Sequence, residues 1–139
     1  KLAEKGKMAR TDLIADILTM IRNAVMVQKD SVVVPASKMA VAILEILKSE
    51  GYIENFKEQA AVGAQKTIKV YLKYVAGTSV ITGLRRISRP GLRKYSRSAK
   101  MPSVLRGFGR AIVSTSVGLM TNTQAKEKKL GGEVVCYVW

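Results

Sequence analysis

Apolar residues recur along the chain at helical and strand spacings, and these spacings predict its elements. The first apolar stripe predicts a helix that Thr11 or Asp12 can cap, and it consists of Leu13, Ile14, Ile17, Leu18, Ile21, Ala24 and Val25. Three valines end at Pro35 and predict a short strand, after which Ser37 can cap a second amphipathic helix that Gly51 ends. Alternation at 52–57 and 67–74 predicts two paired strands joined by a turn at 60–65. The first half therefore has the order α-β-α-β-β.

The alternation breaks at residues 75–78, and the pattern beyond this point is mostly strand. Strands are predicted at 79–87, 93–95, 111–116 and 133–139. Arg89-Pro90-Gly91 predicts a type II turn with a positive φ at the glycine, and Thr121 with Gln124 resembles a capping box for a short helix that ends at residue 129. The pattern predicts an α+β fold: an extension at 1–10, an α-β-α-β-β lobe at 11–76, and a mainly antiparallel β lobe with a short helix at 77–139.

Positive charge is concentrated in one part of the chain. Of 139 residues 47% are apolar, which is enough to bury a core, and the formal net charge is +14. Residues 59–126, here called the acid-free segment, contain thirteen lysines and arginines and no aspartate or glutamate, whereas the rest contains eleven bases and ten acids. The unopposed positive charge creates an electrostatic field that attracts polyanions and that is weakened by salt. The alternative, a solvated basic face without a ligand, would explain lysines better than it explains clustered arginines. The predicted partner is therefore nucleic acid.

Composition also excludes several kinds of site. The chain has no histidine, which excludes histidine triads and histidine metal sites, and its one cysteine, Cys136, excludes a Cys/His zinc site. Cys136 lies in an alternating run that predicts a buried side chain in a reducing compartment. Gly107-Phe108-Gly109 is only a fragment of a phosphate-binding loop. We therefore predict no enzyme, metal or cofactor, and no membrane span, since no apolar run approaches about 20 residues.

Two segments of the second half carry candidate binding chemistry. Residues 114–118, here called the hydroxyl hairpin, place three hydroxyls where a predicted strand enters a turn, and hydroxyls and amides can bond phosphate, ribose and base edges. An ordinary polar turn is the commoner explanation of that spacing, but its position in the acid-free segment favours RNA contact. Residues 88–95 combine a rigid turn, cations for phosphate, and Tyr95, which either stacks on a base or is buried in a hairpin.

Several motifs resemble one known family. The chain contains SRPGLR at 88–93, VSTSVGLMT at 113–121 and GGEVVCYV at 131–138, and these closely resemble the bacterial-type family of the eighth protein of the small ribosomal subunit. DILTMIRNA at 16–24 and PASK at 35–38 match the N-terminal half of that family. The resemblance runs from about residue 11 to residue 139. Val117 departs from it, because the family commonly has a basic residue there that adds a phosphate contact.

The resemblance implies a two-lobed α+β fold and a structural role in the small ribosomal subunit. It implies a primary binder of the central domain of 16S-type rRNA that organises that domain during assembly, with neighbouring small-subunit proteins and, in some bacteria, its own operon mRNA as further partners. The alternative is a non-ribosomal nucleic-acid-binding protein or an mRNA-binding translational repressor. The implied location is a bacterial-type ribosome in the cytoplasm, with an organelle left open. The predicted RNA-binding residues are Asn23, Ser37, Lys38, Ser88, Arg89, Pro90, Gly91, Arg93, Lys94, Tyr95, Ser114, Thr115, Ser116, Gly118 and Glu133.

Overall fold

A computed structural model describes residues 12–62 and 65–139, so the predicted extension at 1–10 lies outside the described residues. Helix α1 spans Leu13–Met26. Asp12 is its N-cap, because the backbone there is extended and Asp12 Oδ1 accepts a hydrogen bond from Ala15 N (3.2 Å). The residues of α1 that are buried lie within the predicted stripe: Ile17, Leu18, Ile21 and Ala24.

Helix α2 spans Lys38–Ser49 and confirms both predicted ends. Ser37 Oγ accepts a hydrogen bond from Ala40 N (3.0 Å) at the start of the helix. Gly51 follows the last turn with a φ of +83°, a conformation that favours glycine because other residues carry a Cβ. The helix therefore ends where the sequence pattern places its end.

An antiparallel sheet of three strands packs with these helices. It has the order β1-β3-β2, with β1 at Ser31–Pro35, β2 at Ile53–Val62 and β3 at Gln65–Leu72. The predicted turn at 60–65 is too long, because Gln59 pairs with Thr67 and the ladder continues to Val62 opposite Gln65. The predicted break at 75–78 is a small hairpin of β4 (Tyr74–Val75) and β5 (Thr78–Ser79).

The second half forms an antiparallel sheet around the last strand, here called the C-terminal sheet. Its strands are β6 (Leu84–Arg86), β7 (Tyr95–Ser96), β8 (Arg110–Thr115), β9 (Gly118–Thr121) and β10 (Gly132–Val138). Helix α3 spans Asn122–Glu127, two residues shorter than predicted, and the capping box of Thr121 and Gln124 is confirmed. The fold is α+β, as predicted.

Two details of the second half and one of α1 differ from the sequence-based predictions. The strand predicted at 79–87 is interrupted, because the backbone N–H groups of Thr82 and Gly83 donate to Trp139 O (2.6 and 2.9 Å). The predicted type II turn is wrong, since Gly91 does not have a positive φ. The sequence predicts that the polar end of α1, Arg22-Asn23, faces outward, but Arg22 Nη2 donates to Leu84 O of β6 (2.6 Å).

One hydrophobic cluster crosses the predicted boundary at residue 77. It joins the inner faces of α1, α2 and the first sheet to residues of the C-terminal sheet that include Ile112, Cys136 and Val138. Cys136 is fully buried, as predicted, and burial raises the pKa of its thiol to about 12. The two predicted lobes therefore share part of one core. Their division at residue 77 stays a prediction. Among residues 12–62 and 65–139, no helix is both long and apolar enough to cross a membrane.

Candidate nucleic-acid interface

Three predicted site residues form a row across the C-terminal sheet. Glu133 of β10 lies opposite Tyr95 of β7 on one side and opposite Ser114 of β8 on the other. Directly opposite residues of antiparallel strands project from the same face of a sheet, so these three side chains are neighbours. Tyr95 is 72% exposed, which favours a stacking surface over the buried hairpin residue that the sequence left open.

A hydrogen-bond network holds the 88–94 segment against Glu133. Ser88 Oγ donates to Glu133 Oε2 (2.5 Å), and Arg93 Nη1 donates to the same oxygen (2.9 Å). Ser88 Oγ also accepts from Lys94 N (3.1 Å). Burial raises the pKa of Glu133, but the hydrogen bonds from Ser88 and Arg93, with the arginine charges, outweigh it and hold that pKa below its ordinary value. Glu133 is therefore ionised at neutral pH.

The network separates supporting residues from exposed ones within the 88–95 segment. Ser88 is completely buried, which favours a supporting role over the direct RNA contact predicted for it. Arg93 is paired with Glu133, yet 48% of its side chain remains exposed. Residues 89–95 are all exposed, and Arg89, Pro90, Gly91 and Lys94 are here called the turn surface.

The hydroxyl hairpin is the tight connection between β8 and β9, as predicted. Thr115 pairs with Gly118 across a two-residue tip, and its hydroxyl donates to Gly118 O (2.8 Å) and accepts from Val117 N (3.1 Å). Gly118 has a φ of +128°, which non-glycine residues rarely adopt. Ser116 is exposed at the tip. Because the Thr115 proton is used within the turn, Ser116 is better placed to donate to a ligand.

A glycine pair allows β10 to approach its neighbours closely. A Cβ built on Gly132 would lie 2.2 Å from Ser114 O, and one built on Gly131 would lie 2.8 Å from Ser96 O. Real Cβ atoms essentially never come this close to another heavy atom. Glycine at these two positions therefore permits the strand spacing that brings Tyr95, Glu133 and Ser114 into one row.

The N-terminal candidates divide between two places. Ser37 lines a surface cleft with Pro90 and Arg93, so the start of α2 meets the C-terminal turn surface, and Lys38 is exposed beside it. Asn23 is also exposed, but it lies near the opposite end of α1, about 16 Å along the helix from Asp12. The structure brings Ser37 and Lys38 to the edge of the site and does not bring Asn23 there.

Comparison with known proteins identifies the family. A family model described as ribosomal protein S8 matches residues 12–139. The chain belongs to this family. It is similar to small ribosomal subunit protein uS8 of Desulforamulus reducens, with 56% identity over 133 residues that cover 95% of this chain and 100% of that protein. Proteins of the same name from Desulfitobacterium hafniense and Lactobacillus acidophilus are 55% and 54% identical over the same shares of each chain.

Family membership confirms the resemblance inferred from the motifs and the function at a general level. The chain is a ribosomal protein, a structural and non-enzymatic kind of protein of the small subunit, and binding rRNA is the role of this family. The roles of individual residues at the interface stay predictions.

Sequence reasoning missed the part that Arg86 plays in this ribosomal protein. Arg86 Nε donates to Asp12 Oδ2 (2.7 Å) and Arg86 Nη1 donates to Val135 O (2.7 Å), which ties the start of α1 to β10. Its neighbour Arg85 is exposed and lines a cleft with Arg89 beside α1. The alternation of strand residues indicates that the two arginines point to opposite faces. It does not indicate which of them faces the protein.

Proposed function

We propose that this ribosomal protein is a primary binder of the central domain of 16S-type rRNA and that it organises this domain during assembly of the small subunit. One observation carries the proposal at the residue level. Tyr95, Glu133 and Ser114 form one row on the C-terminal sheet, next to the exposed tip of the hydroxyl hairpin. A stacking ring, hydrogen-bonding groups and cations therefore meet on one surface.

The arrangement suits a folded RNA helix with unpaired or distorted nucleotides. Ser116 and the backbone of the hairpin tip can approach ribose and base edges closely, while Tyr95 offers an exposed ring for stacking. Arg89 and Lys94 are exposed and suit phosphates. Val117 supplies no charge at the tip, so we assign phosphate contact to the turn surface instead.

Glu133 is compatible with an anionic partner because its charge is compensated. Arg93 lies 2.9 Å from its carboxylate, and Ser88 donates to the same oxygen. The pair has no net charge, so the positive field of the acid-free segment reaches the RNA with little opposition. We therefore infer that Glu133 and Ser88 set the position of the 88–95 segment and leave the surrounding cations to attract RNA.

Footprinting on naked small-subunit rRNA at moderate salt tests this proposal. We expect the unchanged chain to protect one region of the central domain and to prefer it strongly over bulk RNA, whereas a non-specific nucleic-acid-binding protein would bind both with a similar salt slope. Equal affinity for bulk RNA and for the rRNA would contradict the proposal.

A matched pair of serine variants tests the site itself. Ser116→Ala should weaken specific binding by about 1–3 kcal/mol because it removes a close hydrogen bond. Ser49→Ala is the control, since Ser49 is also exposed but is the last residue of α2, at the opposite end of that helix from Ser37. Circular dichroism verifies that both variants fold. If the two variants bind the rRNA equally, Ser116 is not a contact residue.

The charged residues of the turn surface should behave differently from Ser116. Neutralising Arg89 or Lys94 should lower affinity for cognate and non-cognate RNA alike and reduce the salt slope by about one unit, as expected for a phosphate contact. Loss of cognate binding alone would show that these side chains read bases.

The proposal also includes finer expectations about partners and location. An mRNA helix that mimics the rRNA site would bind the same row, so repression of the chain's own operon follows if such a helix exists. Neighbouring small-subunit proteins and a bacterial-type ribosome in the cytoplasm belong to the same proposal, and its support is family membership. Competition between rRNA and operon mRNA for the chain would test the mRNA part directly.

A further inference from the structure

Phe108 is the most exposed large apolar residue in the described part of the chain, with 84% of its surface accessible. It precedes β8, whereas the exposed tip of the hydroxyl hairpin follows β8. The six-residue strand Arg110–Thr115, about 17 Å from end to end, lies between Phe108 and this tip. Phe108 is therefore at the other end of the C-terminal sheet from the proposed RNA site, and that site does not account for its exposure.

The backbone around Phe108 is clamped on both sides. The N–H groups of Gly107 and Gly109 both donate to Val104 O (3.0 Å each). Arg110 Nη1 donates to the carbonyl oxygens of the same two glycines (2.9 Å each). Four hydrogen bonds thus hold the residues on either side of Phe108, and the ring projects from a fixed base.

The three residues that precede Phe108 have an unusual backbone conformation. Leu105 and Arg106 have φ values of +47° and +53°, and Gly107 follows with +96°. The left-handed region is disfavoured for residues with a Cβ, so two such residues in succession are strained. Strain of this kind is found where the surrounding structure imposes it, often at binding sites.

The charge around the loop favours an anionic partner. Arg106 is exposed two residues before Phe108, and the whole loop lies in the acid-free segment. The nearby acid Glu50 is paired with Arg110 Nε at 3.0 Å, so its charge is compensated. An exposed aromatic ring with an exposed arginine two residues before it has the chemistry of the stacking platforms with which proteins hold unpaired bases.

We propose that Phe108 stacks on an unpaired base of small-subunit rRNA and that Arg106 contacts an adjoining phosphate. This contact rests on the proposed rRNA-binding function and adds to it a second point of attachment at the far end of the C-terminal sheet. An apolar protein surface would also cover a phenylalanine, but it would gain nothing from Arg106, which forms no ion pair with an acid among residues 12–62 and 65–139.

Affinity for naked small-subunit rRNA, measured over a range of salt concentrations, tests the proposal. Phe108→Ala should weaken binding about tenfold, the loss expected for one stacked base, and leave the salt slope unchanged because no phosphate contact is lost. Phe108→Tyr keeps a stacking ring and should bind within about twofold of the unchanged chain. Val75→Ala is the control, since Val75 is 61% exposed in the β4–β5 hairpin.

Chemical probing of the same complexes locates the contact. With Phe108→Ala, one unpaired base should lose its protection while the footprint of the hydroxyl hairpin persists. If Phe108→Ala binds and protects naked rRNA like the unchanged chain, the inference is wrong. Reduced incorporation into reconstituted subunits with unaltered binding to naked rRNA would overturn it in favour of a protein partner. Absence of selective rRNA binding by the unchanged chain would instead reject the underlying function.

Discussion

Replacing Ser88 by alanine tests whether a buried hydroxyl supports the RNA-facing surface. Ser88 is completely buried and its Oγ joins Glu133 Oε2 to Lys94 N. Alanine fits the same space, so the change removes two hydrogen bonds and creates almost no clash. We expect a folded protein of lower stability whose 88–94 segment is less firmly attached to β10.

The magnitude follows from the kinds of hydrogen bond that are lost. A hydrogen bond to a charged group contributes about 1.5–3 kcal/mol, and the Lys94 amide would lose its partner as well. Water reaches the Glu133 side chain, which is 20% exposed, and offsets part of the loss. The free energy of unfolding should therefore fall by about 2 kcal/mol, which corresponds to about 6–8 °C in Tm for a chain of this size.

The same change should alter how stability depends on pH. The pKa of Glu133 is lower in the folded protein than its ordinary value of 4.5, so its ionised form stabilises the fold above that pH. This contribution is lost as the pH falls through the folded-state pKa. Ser88 provides one of the hydrogen bonds that lower the pKa, so Ser88→Ala should lose less stability than the unchanged chain as the pH falls below 4.5.

Urea unfolding at pH 7 and in a series of acidic buffers measures both effects. Ser116→Ala is the matched control, because Ser116 is exposed and its replacement should leave the free energy of unfolding nearly unchanged. Equal stability of the two variants at pH 7, together with an unaltered acid profile, would refute the supporting role of Ser88.

Three further predictions concern packing, charge and reactivity. Gly132→Ala should lower Tm strongly in a thermal melt, because the new Cβ would overlap the carbonyl oxygen of Ser114 in β8. Gly91→Ala is the control and should leave Tm nearly unchanged, because a Cβ built there has no atom within 4 Å. Arg86→Met should cost about 3 kcal/mol in urea unfolding because it leaves Asp12 without its partner at 2.7 Å, and a loss below about 0.5 kcal/mol would contradict that assignment. Cys136 should resist a thiol reagent at pH 8 until the chain is unfolded, since burial raises its pKa to about 12; rapid labelling of the folded protein would count against this.

Local sequence patterns were sufficient to predict the three helices and their caps. A cap depends on residues within one turn, and Ser37, Gly51 and Thr121 act where the pattern places them. Periodic apolar residues show which side of a helix is buried without any knowledge of its neighbour. Strand bounds were less predictable, because a strand continues only as far as a partner continues beside it, as β2 and β3 do up to Val62 and Gln65.

The candidate site was predictable in its chemistry and in its two segments. The acid-free segment and the hydroxyl hairpin are features of the sequence alone, and the family motifs indicated which residues to consider. The glycine pair at 131–132 was visible as well, but its purpose was not. Only the approach of β8 and β7 to β10 shows that side chains at these positions would clash.

Only the tertiary structure decided which of two similar residues supports the interface from inside the protein and which one faces outward. Ser88 and Ser116 look alike in sequence, as do Arg85 and Arg86, yet one of each pair is turned toward the protein. The reason is that burial and hydrogen bonding depend on groups far away in the chain. Spacing predicts that Ser88 begins a turn, whereas a carboxylate 45 residues later makes it a support of the interface.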